Sequence, residues 1–370
     1  EDPENETVAK TLEYALADAC IAQVAKSLGE KKDYKYFLHR SQSYRNVFDK
    51  ESGFMRGRLK DGSWLAPFDP YEWGGPYCEG NAWHYNWSVF HDVQGLINLY
   101  GSDEAFTAKI DSVFTVPNVI RPGTYGGMIH EMKEMELAGM GQYAHGNQPI
   151  QHMIYLYSYA GQPWKTQYWS RQITGRLYNS SERGYPGDED QGGMSSWYIL
   201  SSLGIYSVCP GTDQYVLGSP VFRKATITME DGRKFVIEAD GNSQQNVYIQ
   251  SATLNGKPLD KNYITYKDIA DGGVMRLVMG PEPNKERALE TVELATEAQV
   301  PNLVKQKTPL EIENGSALED IFIQYFSDML QGKIGIEEGA AELSQKWRSQ
   351  GGEEMLAEVQ AAYEAQDSEE

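Results

Sequence analysis

Cysteine is scarce in this sequence, and long apolar runs and long basic runs are missing. The three cysteines, Cys20, Cys78 and Cys209, are odd in number and widely spaced. That is neither a disulfide framework nor a zinc-ligand pattern, so isolated buried thiols are expected. No apolar stretch reaches the roughly 18 residues that a membrane-crossing helix needs, so no membrane span is expected. The opening EDPENETVAK is acidic and polar and lacks the apolar core of a signal peptide. Histidine is rare as well, at six residues, and none forms the i, i+4 pair of an HExxH zinc helix. The formal net charge is -20. A field of that sign repels phosphate backbones and anionic lipid surfaces, which excludes nucleic acid and favours a neutral sugar polymer or a divalent cation.

What the sequence does have is aromatic surface. Its 370 residues, 40% hydrophobic and 23% charged, suit a globular protein of one large domain plus an appendage, or of two domains. Eight Trp and 24 Tyr are many for this length, and they gather in stretches such as YEWGGPYCEGNAWHYNW at 71–87. Aromatic faces in loops stack on sugar rings while their polar edges bond hydroxyls. The interleaved Gly, Pro and Asn argue for a loop, although the same residues would also serve an aromatic-rich core.

Apolar residues recur at helical spacing over 7–29, 31–48, 88–100, 103–115, 148–160, 163–178 and 193–203. That makes about seven helices, joined by loops that hold the unusual residues. Such helix pairs predict an α/α toroid, or part of one, with chemistry at the loop-bearing mouth. After Pro210 the period changes to alternating, β-branched runs, which predicts a small antiparallel β unit. The segment PEPNKE at 281–286 reads as a linker, and an acidic helical tail follows. The expected organisation is a helical catalytic region at 1–211, a β unit at 212–286 and a tail at 287–370.

Two carboxylate constellations stand out. In GYPGDEDQGGMSSWYILSSLGIY at 184–206, Asp188, Glu189 and Asp190 fall in a Gly-flanked turn before a helix. Packing like charges costs free energy unless a cation, a proton or a helix N-terminus compensates, so both a functional cluster and a capping turn are open. Glu79 is a lone carboxylate among Trp73, Tyr77, Trp83, Tyr85 and Trp87. An apolar wall raises a carboxyl pKa, as a general acid requires. An acid for the leaving oxygen and an ionised carboxylate are the two partners of glycoside hydrolysis. Five of the six histidines lie between 84 and 152, with His130-Glu131 and His145-Gly146-Asn147-Gln148 in or beside loops. These groups could bind sugar hydroxyls, their amide and carboxylate oxygens are ligands calcium prefers, and ordinary capping roles remain open.

The segments GRLKDGSWLAPFDP, YCEGNAWHYNW, GGMIHEM, YAHGNQP, GYPGDEDQGGMSSWYILSSLGIY and VLGSPVF occur in that order over about residues 1–285. Together they strongly resemble the catalytic domain of glycoside hydrolase family 92 α-mannosidases. The resemblance implies a mainly α fold: an (α/α)6 toroid, here incomplete, followed by the small β unit and the helical tail. It implies a calcium-dependent, inverting exo-α-mannosidase acting on α-1,2-linked mannose of an α-mannoside glycan, in N-glycan degradation in the periplasm or outside the cell. By position, Glu79 matches the general acid and Asp190 the general base, with Asp188 assisting or as the alternative base. His130 and Glu131 match the pair that contacts the leaving-group sugar, and Trp83 and His145 are expected to contact sugar too. Asn147, Gln148 and Asp188 are the expected calcium ligands. Family members are usually longer and begin with a β-sandwich domain, so the alternative is a non-catalytic family member or a carbohydrate-binding module. The tail, including ALEDIFIQYFSDMLQGKIGIEEGAAELSQKW, resembles the C-terminal helices of bacterial extracellular solute-binding proteins.

Overall fold

A computed structural model of the chain describes residues 6–182, 184–287, 318, 321, 324–325, 333–355 and 357. The chain forms two compact units, one of residues 1–21 with 43–298 and the other of 22–42 with 299–370. Of the segment quoted for the solute-binding resemblance, residues 318, 321, 324–325 and 333–347 are described and the rest lies outside the described residues.

The helices are α1 (Thr7–Leu28), α2 (Lys31–Arg40), α3 (Ala82–Tyr85), α4 (Val93–Tyr100), α5 (Asp103–Thr115), α6 (His130–Ala138), α7 (Gln148–Gln151), α8 (Pro163–Arg176), α9 (Gly193–Leu203) and α10 (Tyr266–Ala270). Where local signals are strong, the bounds match the sequence reading. Ser102 caps α5 by accepting from the Ala105 amide, and Asp103 and Glu104 sit in its positive first turn. Helix α9 stops at Gly204, which takes the left-handed conformation that releases the chain. Two expected helices divide instead. The 31–48 segment leaves α2 at Arg40, tightens into a 3-10 turn at Ser43–Val47 and becomes strand β1 (Phe48–Asp49), which pairs antiparallel with β2 (Phe54–Met55). The 148–160 segment is the short α7 followed by a 3-10 helix at Met153–Ser158. Helix α6 was not foreseen, because only Met132, Met135 and Glu131 are buried on an otherwise charged helix.

The core of the first unit is unusually aromatic. Trp73, Tyr77, Trp83, Tyr85 and Trp87 are all at most 6% exposed. This corrects the expectation that the 71–87 stretch offers its rings to sugar. Two of the polar edges are paired inside the protein: Trp87 Nε1 donates to the Trp83 carbonyl at 2.8 Å, and Tyr77 donates to the Met55 carbonyl at 2.6 Å, whereas Trp73 Nε1 and Trp83 Nε1 are buried without a hydrogen-bond partner. Rings buried to this degree are core, whatever loop chemistry surrounds them.

The β unit also needs correcting. A three-stranded sheet in the order β3-β4-β9 joins Ile205–Tyr206, Gln214–Leu217 and Tyr263–Thr265. A five-stranded sheet runs β5-β6-β10-β7-β8, from Lys224–Thr228, Lys234–Asp240, Gly273–Gly280, Tyr248–Leu254 and Lys257–Pro258. It is mixed rather than antiparallel, because β10 pairs parallel to β6 and antiparallel to β7. Strands β7 to β9 and α10 form the connection that carries the chain back to start β10 beside the start of β6. Phe235, Ile237, Ile249, Met275 and Leu277 pack this sheet in a core of its own. The expected linker is tied down too. Asn284 donates to the Gln250 carbonyl at 3.0 Å, and the buried Arg287 donates to Asn262 and to the carbonyls of Leu259 and Lys261.

In the second unit, helix α11 (Ile336–Trp347) ends with Trp347 edge-on to Phe37 of α2. Arg348 bonds Asp33 at 3.0 Å.

Candidate active site

Glu79 is placed by a turn that the sequence wrote locally. Asn81 is the N-cap of α3: its side-chain oxygen accepts from the Trp83 amide at 3.0 Å, while its own amide donates to His84 Nδ1 at 3.2 Å. The Asn81 amide nitrogen donates to Gln142 at 3.1 Å, and Gln142 in turn donates to the carbonyls of Pro117 and Val119. Glu79 itself has φ 45°. A non-glycine residue there is strained by about 1–3 kcal/mol and persists only where its surroundings hold it. They do so from both sides. The Glu79 amide donates to Tyr125 Oη at 2.8 Å, and the Glu79 carbonyl accepts from Asn147 Nδ2.

The acidic turn has the same character. Asp190 (φ 45°), Gln191 (φ 55°) and Gly192 (φ 84°) are left-handed in succession. Glu189 accepts from the Ser195 amide at 3.2 Å and from Ser195 Oγ at 2.8 Å, so it caps α9, as the capping reading allowed. Asp190 accepts from Gln148 Nε2 at 2.7 Å. Adjacent residues Asn147 and Gln148 therefore tie the Glu79 backbone and the Asp190 carboxylate, respectively, to one short segment.

The electrostatics follow from this closeness. Partial burial first, then the negative charges of Glu131 and Asp190, hold the Glu79 carboxyl above the usual glutamate range, with His130 opposing. A carboxyl that keeps its proton to higher pH is suited to donate it. His130, at the start of α6, lies 3.0 Å from Glu131 Oε1 and 3.3 Å from Glu134 Oε1. Its partial burial disfavours the charged ring, but those carboxylates and Asp188 outweigh this and raise its pKa.

Trp83 and His145, both expected at the sugar, are core residues here. Trp83 is 6% exposed, edge-on to Phe54 and under the Lys109 ammonium. His145 has no exposed surface, and its two ring nitrogens meet Tyr143 Oη at 2.9 Å and Tyr178 Oη at 2.7 Å. Burial pushes its pKa down to about 3, so it is neutral and fully used.

Sequence reasoning missed Tyr125, Gln142 and Glu134. Of these only Glu134 had a local signal, one helical turn beyond His130. Its carboxylate is wedged between two loops that touch across it. A Cβ on Gly187 would meet Glu134 Oε2 at 2.5 Å and the Gly146 Cα at 2.7 Å. Glycine is required at both positions for space. Gly187→Ala is therefore expected to cost about 1–3 kcal/mol, because backbone cannot rotate away. Urea unfolding would read this as a lower midpoint; an unchanged midpoint would show that the two loops do not meet.

For a calcium ion the donor chemistry fits. The amide nitrogens of Asn147 and Gln148 are engaged with Glu79 and Asp190, which leaves their side-chain oxygens available. Asp188 adds an exposed carboxylate, and these are the hard oxygens calcium takes.

Residues 1–281 match the glycosyl hydrolase family 92 catalytic domain. Among solved structures, the chain resembles the family GH92 inverting mannosidase BT2199 from Bacteroides thetaiotaomicron, with 48% identity and a TM-score of 0.70 over 79% of this chain and 40% of that one. It also resembles the family GH92 α-mannosidase BT3965 from the same organism, with 41% identity and a TM-score of 0.69 over 80% of this chain and 37% of that one. A curated relative, an uncharacterized secreted glycosidase of Arthroderma benhamiae, is 26% identical over 75% of this chain and 36% of its own length. The chain thus spans well under half the length of each of these relatives. With the matched region covering every carboxylate of the site, the chain belongs to glycosyl hydrolase family 92.

Proposed function

We propose that this chain carries the catalytic machinery of an inverting α-mannosidase that removes terminal α-1,2-linked mannose from glycans, with its helices forming part of an (α/α)6 barrel. One observation carries the reading: Asn147 bonds the Glu79 carbonyl and its neighbour Gln148 the Asp190 carboxylate, both acids sit on left-handed backbone, and partial burial raises the Glu79 pKa. Left-handed backbone at both acids persists only where the surroundings hold it, and a carboxyl that keeps its proton to higher pH suits an acid.

In the proposed reaction Glu79 gives its proton to the glycosidic oxygen as the bond to the anomeric carbon breaks. Asp190, assisted by Asp188, takes a proton from the water that attacks the opposite face of that carbon. The product leaves with inverted configuration, Glu79 is ionised and Asp190 protonated, and proton exchange with solvent resets both. His130 and Glu131 hold the sugar on the leaving side and give the α-1,2 preference. Asn147, Gln148 and Asp188 would hold calcium, which when bound engages mannose hydroxyls and eases ring distortion. A periplasmic or extracellular location accords with the secreted name of the fungal relative.

Mannose release from α-1,2-mannobiose, followed with calcium and with a chelator, tests this. Release that needs calcium, with the β-anomer seen first by proton NMR, is expected. No release by pure folded protein, or an α-anomer first, overturns the reading.

A further inference from the structure

Helix α6 presents His130 and Glu134 on one side, one turn apart. His130 Nδ1 lies 3.3 Å from Glu134 Oε1 and 3.7 Å from Asp188 Oδ2. The ligand atoms of these three residues are all within 4.8 Å of one another. On the far side of the ring, His130 Nε2 lies 3.0 Å from Glu131 Oε1. Within the cluster, Glu134 Oε2 is buried with no hydrogen-bond partner. A buried carboxylate oxygen without a partner is costly, and a cation is the partner that removes the cost.

We propose that His130 Nδ1, Glu134 and Asp188 form a second metal site, for a divalent ion of the zinc type, which shares only Asp188 with the calcium donors. One imidazole and two carboxylates suit zinc or its first-row neighbours, whereas calcium disfavours a nitrogen ligand. Glu131 supplies the partner that such a histidine needs: it accepts the Nε2 proton, which leaves Nδ1 bare for metal. Modest rotation of the exposed His130 and Asp188 side chains would bring the donors to about 2.0–2.2 Å from an ion. An ion there withdraws Asp188 and His130 from substrate, so it inhibits hydrolysis. That last step rests on the mannosidase reading; binding of the ion does not.

The experiment titrates the whole metal-free protein with Zn2+ by calorimetry and with Co2+ by visible absorption, without substrate. One ion with a micromolar Kd is expected, weakened at least about tenfold in Glu134→Gln, as loss of a ligand or its support usually does. His130→Gln should lose the Co2+ band. No saturable binding, or binding that survives both substitutions, overturns the site. Zn2+ added to calcium-loaded protein should stop mannose release over the same concentrations that fill the site. Binding without inhibition overturns the blocking role, while a protein inactive before any zinc is added counts against the mannosidase reading alone.

Discussion

Glu79→Gln is expected to lower mannose release from α-1,2-mannobiose by about 10²–10⁴-fold, the usual worth of a positioned proton donor. The same variant should lose far less on an aryl mannoside whose leaving group departs as a stable anion, since that bond breaks without a proton. The contrast separates loss of the acid from misfolding, which would depress both substrates equally. Undiminished cleavage of mannobiose would sink the assignment. The pH profile adds a second reading. Only protonated Glu79 is active, so rate falls as pH rises through its pKa, which partial burial, then Glu131 and Asp190, hold above the usual range. Removing the Glu131 charge, as in Glu131→Gln, should move that alkaline limb to lower pH. A shift the other way would contradict the electrostatic account.

Asp190→Ala should be at least as damaging, on the order of 10²–10⁴-fold, because no group then takes the proton of the attacking water. Azide needs no such help, so adding it should restore cleavage and yield the β-mannosyl azide, the configuration expected of a single displacement. An α-azide would argue for a covalent intermediate. Full activity without rescue would move the base to Asp188. The substitution also frees Gln148, whose amide loses its acceptor at Asp190. Asp190→Asn, which keeps an oxygen for that bond, should therefore be similarly inactive but closer to native in thermal unfolding.

Much of the site was legible along the chain because its signals are local. Helix α5 is announced by Ser102 with Asp103 and Glu104, and α9 by the glycines that bracket it. The carboxylates of the acidic turn stood out because like charges in a row demand compensation, and Glu189 does meet part of that demand by capping α9. The β unit was visible from its change of period. Its pairing was not, since placing β10 parallel beside β6 depends on a return connection through three strands and a helix.

What the sequence by itself determined is chemistry and local shape: which residues can titrate, where helices begin and end, and which turns need glycine. Partnership was decided only by the tertiary structure. Asn147 reaches Glu79 across 68 residues, and Gln148 reaches Asp190 across 42. Only folding could turn the 71–87 aromatics inward, seal His145 between two tyrosines, and wedge Glu134 between Gly146 and Gly187. The physical reason is one of range. Periodicity, caps and backbone conformations are encoded within a few residues, whereas burial and hydrogen-bond partners depend on which distant segments the core draws together.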